Sequence, residues 1–193
     1  MCIQQATFEK GDWIVHPFYG IGQISSKVKK RFEGKKQIFY MVKKKDGKYW
    51  INAKNTTSKQ IRPLSSKAEV KQALTIIQKP PAKLLKDKIQ RRKKFIQAVV
   101  NGSLFSEARL IRDLHGKKIS SKLDYWEETR LKMIKDQFLC EWSMVNNEDR
   151  KILEERLKKA LIISVEKSSI GEEKLCQRKA IKEVKVKRRK SIN

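Results

Sequence analysis

The sequence predicts an α+β protein, with a small, strongly bent β unit at the N-terminus followed by an all-α bundle. Three observations carry this. Residues 11–24 read GDWIVHPFYGIGQI, in which apolar and polar residues alternate with the period of two that a strand requires. From Ser65 onward the period becomes helical, with Val70, Ala73, Leu74 and Ile77 recurring on one face. Lys79-Pro80-Pro81 then ends that segment, so a β unit lies in front of it and a helical unit behind.

In the first strand Trp13 and Val15 fall on one face, Ile14 and His16 on the other. Pro17 stops the ladder, and Gly20 and Gly22 permit a sharp bend or a close backbone approach. A second strand over residues 22–28 leads to a basic turn over 29–36, then QIFYMV, KKKDGK and YWIN. Asp46-Gly47 between the last two apolar runs is a hairpin signal. Four or five short strands in about 55 residues suit a small sheet or barrel and are too few for a sandwich. Trp13, Phe18, Phe39 and Tyr40 are read as core of that barrel in preference to a base-stacking platform, and Trp50 sits where an edge strand could expose it.

Ser66 with Glu69 forms a capping box for the first helix. Residues 84–100 make the next, stopped by Asn101-Gly102. Ser103 caps a helix over 104–115 that ends at Gly116, and Asp124 with Glu127 caps one running to about Met144. Asn147 caps another to about Ile163, with Leu153, Leu157, Ala160 and Leu161 as its apolar stripe. Beyond Ser164 the chain turns polar and closes on KEVKVKRRKSIN, a helix extension or a basic tail. The expected divisions are a β domain over 1–64, a helix and linker over 65–82, a helical domain over 83–165 and a basic tail over 166–193.

Across 193 residues, 47 Lys and Arg against 21 Asp and Glu leave a charge of +26, and such a surface seeks polyanions. No window approaches the roughly 18 apolar residues of a spanning helix, and residues 1–10 lack the apolar stretch of a signal peptide. Nucleic acid is therefore the expected partner, no membrane contact is expected, and the cytoplasm is the expected place, in association with the nucleoid. Cys2, Cys140 and Cys176 lack the spacing of a zinc site or a disulfide framework, and are read as reduced and structural. His16 and His115 fit no triad or metal spacing, and Gly20-Ile21-Gly22 is only a fragment of a phosphate loop. No enzyme activity, cofactor or metal is expected, and the chain is expected to be a monomer.

The densest positive charge is KDKIQRRKKF, residues 86–95. On a helix, Leu85, Ile89, Ile96 and Val99 would face a core while Lys88, Arg91, Arg92 and Lys94 reach outward as a ridge. Such a ridge contacts phosphates without reading sequence; the alternative is a solvated lysine face. Trp126, in the first turn after the Asp124 cap, could be a surface wedge or a packing residue.

F-x-x-G-D-x-V-x-x-P-x-x-G-x-G-x-I, present from Phe8 to Ile24 with Ile14 in the first aliphatic slot, resembles the N-terminal domain of CarD-type (CarD/CdnL family) bacterial transcription regulators. That domain is shared with the RNA-polymerase-interacting domain of the transcription-repair coupling factor. Gly34 at the basic turn, the Phe39 and Tyr40 strand, and I-R-P-L at residues 61–64 follow in the family's order. The second half is similar as well: a basic helix over 91–102, L-I-R-D-L at residues 110–114, and Leu123-Asp124 with Glu127. The resemblance covers roughly residues 8–163.

It implies a Tudor-like barrel that docks on the RNA polymerase β subunit, and a helical domain that touches promoter DNA near the upstream edge of the transcription bubble. Such a regulator tunes the stability of the open promoter complex. The family's polymerase contacts map to Lys30, Ile51 and Asn52, where Asn52 departs from the basic residue common in relatives. Its DNA contacts map to Gln90, Arg91 and Lys93, two of which keep their charge, within a basic set of Lys88, Arg91, Arg92, Lys93 and Lys94. The family's wedge tryptophan aligns with Lys88 and is absent, which leaves an interface held by charge, with Trp126 as a candidate substitute. A second functional class is a general nucleic-acid binder, nucleoid or RNA-binding, with no polymerase partner.

Overall fold

A computed structural model describes residues 7–32, 34–53 and 61–169. Its N-terminal part is a five-stranded antiparallel sheet of β1 (Trp13–His16), β2 (Gly20–Phe32), β3 (Lys35–Lys44), β4 (Gly47–Asn52) and β5 (Arg62–Pro63). The strands lie in the order β4-β3-β2-β1-β5, which corrects the expected closed barrel. Closure would need the two outer strands to pair. They sit at opposite edges with three strands between them, and β5 is only two residues long. The long β2–β3 hairpin also absorbs most of the stretch expected to be a basic turn, leaving the turn around Gly34 at φ +73°.

One face of the sheet is sealed by Phe8, Ile14, Ile24, Tyr40, Val42, Ile51 and Ile61. The two glycines of the opening stretch have separate jobs. Gly20 takes a positive φ of 73° where the chain turns from β1 into β2. Gly22 is required by proximity: a Cβ there would stand 2.4 Å from Val42 Cγ1 and 3.0 Å from the Lys43 carbonyl oxygen. Between them, the His16 imidazole accepts the backbone N–H groups of Phe18 (3.1 Å) and Tyr19 (3.2 Å) through Nδ1 and fixes the turn. Trp13 and Phe18 are exposed and so are not barrel core; only Tyr40 of the four aromatics assigned there is buried.

Among the described residues the helical domain has five helices, α1 (Lys67–Ile77), α2 (Lys88–Val100), α3 (Leu104–Ser120), α4 (Tyr125–Asn146) and α5 (residues 150–169). Both capping boxes expected from the sequence are present, Ser66 with Glu69 on α1 and Asp124 with Glu127 on α4. Helix α1 contributes Val70, Ala73 and Ile77 to the same core as Ile111, Phe138 and Leu157. It is a full member of the helical domain.

Two local expectations are corrected. Gly116 does not stop α3, which continues to Ser120. Its missing side chain makes room for the linker, because a Cβ would lie 2.4 Å from Pro81 Cβ. The neighbouring Asp113 carboxylate accepts the Ala82 backbone N–H (2.8 Å) and an Arg112 N–H (2.7 Å), so the R-D-L segment fastens that linker. Asn147 closes α4 in the left-handed conformation (φ 56°, ψ 44°) and does not open α5. Helix α5 continues past Ile163, as the helix-extension reading allowed, and the last described residue, 169, is still helical.

The halves meet at Arg62 of β5. Its guanidinium grips the fully buried Glu141 of α4 with two N–H donors at 2.5 and 2.7 Å, and donates to the Gly102 carbonyl between α2 and α3. The Ser65 backbone N–H also donates to Glu141 (2.9 Å), which ties the start of α1 to the same carboxylate. Glu107 of α3 lies 3.6 Å from Arg62 and is buried. Burial pushes its carboxyl up to about 8; the Arg62 charge opposes this but is already committed to Glu141, whose own charge adds to the rise.

Glu107 therefore keeps in the folded protein a proton that the unfolded chain releases above the ordinary value of 4.5, so its contribution to stability falls as pH rises from there to about 8. Glu107→Gln removes this term. Urea denaturation at intervals from pH 5 to 9 is expected to show the variant gaining on the parent protein as pH rises, with the gain levelling off above about pH 8. A difference that does not change with pH would show Glu107 to be ionised throughout.

Candidate protein and nucleic-acid interfaces

The pleat divides β2, β3 and β4 into a core face and an outer face. Ile51 pairs with Tyr40 and lies in the core, only 7% exposed, so its side chain is not on the surface. Lys30, Gln37, Trp50 and Asn52 occupy the opposite face. The Lys30 ammonium lies 3.5 Å from the centre of the Trp50 ring, and the Asn52 amide donates to the Gln37 carbonyl. Of the residues mapped to a polymerase contact, Lys30 and Asn52 share this face and Ile51 stands behind it. Trp50 and Gln37 complete the group. The hairpin at Asp46-Gly47 and the two-residue period were the signals that could have found them.

Helix α2 is turned differently from its expected orientation. Phe95 is its one buried residue, Val99 packs partly on the core, and Leu85, Ile89 and Ile96 are exposed. Arg91 points inward. It donates to Glu127 of α4 (2.6 Å) and to the carbonyls of Leu85 (2.6 Å) and Lys86 (3.1 Å). The cause is the buried Glu127, which also accepts from Lys117 (2.6 Å) and from the backbone N–H of Asp124 (3.1 Å). Burial alone would raise the Glu127 carboxyl; Lys117, that backbone N–H and Arg91 together hold it below the ordinary carboxylate value.

Around this centre the basic residues fall into two sets. Asp124 meets Arg92 at 3.3 Å and Lys88 at 3.1 Å, and its carboxyl is depressed to about 2, chiefly by the backbone N–H of Glu127. Exposed pairs of this kind contribute roughly 0–1 kcal/mol, so a phosphate can compete for Lys88 at little cost. Removing one partner of a buried pair such as Arg91–Glu127 costs roughly 3–5 kcal/mol, which keeps Arg91 in place. Lys93 and Lys94 are exposed and make no ion pair among the described residues. Gln90 is exposed beside them.

Trp126 is a packing residue. Its ring meets Phe95 edge-on at 5.0 Å, with the guanidinium groups of Arg92 and Arg130 at 5.1 and 5.5 Å from its centre. It is not free to serve as the wedge that Lys88 lacks. Of the two histidines, His16 holds its turn and His115 lies within α3, each lowered below 6.5 by burial, His115 also by Lys135 and Lys118. Cys140 is a free thiol, while Cys2 and Cys176 lie outside the described residues. No described helix is long and apolar enough to cross a membrane.

Compared with known families, residues 8–65 match the CarD-like/TRCF RID domain, a span that takes in all five strands. No curated protein matches the chain.

Arg91→Ala is expected to lower stability by about 3 kcal/mol, read as a reduced urea midpoint. Lys93→Ala and Lys94→Ala should leave the midpoint unchanged. Equal effects from all three would mean that the inward position of Arg91 carries no structural weight.

Proposed function

Residues 8–65 are a CarD-like/TRCF RID domain, and from this we propose that the chain is a non-enzymatic transcription regulator. It binds the β subunit of RNA polymerase through its sheet and promoter DNA through its helical domain, near the upstream edge of the transcription bubble, and so tunes the stability of the open complex. The family match over the whole described sheet is the observation that carries this reading.

The polymerase contact falls on the outer face of the sheet, at Lys30, Trp50 and Asn52, with Ile51 supporting them from behind. Trp50 supplies the large amphipathic surface that dominates interface energies, and Lys30 over its ring holds it in position. On the helical side Lys93 and Lys94 contact phosphates directly. Lys88 and Arg92 can leave Asp124 to join them, and Arg91 positions α2 against α4. These contacts are sequence-blind and weak singly. Tethering by the polymerase raises the local DNA concentration, so weak phosphate contacts suffice once the sheet is docked. With Lys88 in place of an aromatic wedge, the DNA contact is electrostatic.

The excess of basic charge also suits a general nucleic-acid binder, and the same experiment separates the two. Immobilised β subunit should retain the protein after nuclease treatment, and Trp50→Ala should weaken retention at least tenfold without lowering the urea midpoint. Retention that disappears with nuclease would favour the general binder. On a duplex, Lys93→Glu with Lys94→Glu should reduce the slope of log affinity against log salt by about 2. An unchanged slope would remove α2 from the DNA interface.

A further inference from the structure

A cleft of about 850 Å3 lies between the sheet and the helical domain. Its sheet wall carries Trp13 of β1 and Phe18 and Tyr19 of the β1–β2 turn, which are 41%, 54% and 53% exposed. Across from them stand Met133 and Met144 of α4, also exposed. Large apolar side chains left open on both walls of one cleft mark a binding surface. The CarD-like domain match does not by itself explain them.

The aromatic side is built to be presented. The neutral His16 ring accepts both N–H groups of the turn, and the Tyr19 ring packs at 4.5 Å on His16 and 4.8 Å on Tyr49. The rings are held out by a fixed turn, which reduces the ordering cost of binding. Charge decides what they are held out for. Lys43, Lys44 and Lys45 border the same cleft, are exposed, and make no ion pair among the described residues. Two acids also line it. Asp136 is matched by Arg150, and Asp46 stands alone against the three lysines.

Exposed aromatic faces beside unpaired lysines are what a single strand of nucleic acid needs, since its unstacked bases offer π-faces and its phosphates need cations. A duplex keeps those faces hidden. An uncharged peptide would leave the lysines unmatched. We propose that this cleft binds single-stranded DNA, with bases stacked on Trp13 and Phe18 and phosphates on Lys43, Lys44 and Lys45. The choice of DNA over RNA rests on the transcription-regulator reading above; the stacking site does not.

Titration of the full chain with dT20, followed by tryptophan emission and by the anisotropy of labelled oligomer, tests this without polymerase. Failure here is therefore distinct from failure to bind the β subunit. The expected result is saturable binding with quenching. Trp13→Phe should abolish most of the quench while keeping affinity within about threefold, and Phe18→Ala should weaken binding about tenfold. Lys43→Glu with Lys44→Glu should weaken it further, whereas Lys93→Glu with Lys94→Glu should leave the quench intact. Unchanged circular dichroism would confirm that each variant is folded. Binding that ignores the Phe18 and Lys43/Lys44 changes but is lost with the α2 changes would overturn the site. Tighter binding of rU20 than of dT20 would overturn the choice of DNA, and binding of a poly-glutamate peptide with no response to dT20 would overturn the nucleic-acid assignment.

Discussion

The guanidinium of Arg62, at the last strand of the sheet, is in contact with the start of α1, the connection between α2 and α3, and helices α3 and α4 at once. Its partner Glu141 is fully buried and accepts a pair of short charge-assisted hydrogen bonds from it. Such a pair adds little net stability against a well-packed apolar substitute, but either member left alone is costly. What it supplies is geometry. The sheet and the helical bundle have separate cores, and this pair is a directional contact that crosses between them, beside the packing of α4 on β2. The positions of the outer face of β4, the cleft and α2 relative to one another all depend on it.

A second constraint sorts the basic residues. Arginine, with its planar fork of donors, is placed at Arg62, Arg91 and Arg112, where carboxylates and carbonyls must be matched in fixed directions. Lysine shares one of these sites, where Lys117 donates to Glu127 beside Arg91, and stands exposed at Lys43 to Lys45 and at Lys93 and Lys94. The net charge of +26 is thus not spread evenly in function. Part of it is internal structure, and the exposed lysines of the β3–β4 hairpin and of α2 are two of the groups that remain at the surface.

Much of the fold was legible because its signals are local. Ser66 with Glu69 and Asp124 with Glu127 cap their helices through hydrogen bonds that span three residues, and Asp46-Gly47 turns a hairpin by itself. The misreadings have distant causes. Gly116 looked like a stop, but it faces Pro81, thirty-five residues earlier in the chain. The pattern of α2 admits two apolar faces, and the choice falls to Glu127 on another helix, which draws Arg91 inward and leaves Ile89 and Ile96 outside. Trp13 and Phe18 read as core because an aromatic in a strand usually is; the open sheet edge and the cleft beside α4 are tertiary facts. The group of Lys30, Trp50 and Asn52 was half visible, since the register that brings Lys30 over Trp50 depends on pairing across two strand boundaries.

The central claim is that the Arg62–Glu141 pair fixes the sheet against the helices. Spin labels at Lys30→Cys and Lys94→Cys, with Cys2, Cys140 and Cys176 changed to serine, would report the distance between the two halves. A single narrow distribution is expected. Arg62→Met with Glu141→Leu removes the pair without stranding a charge, and should broaden the distribution while helix content by circular dichroism stays the same. A distribution that is broad at the outset, or one that remains narrow in the double variant, would contradict the claim.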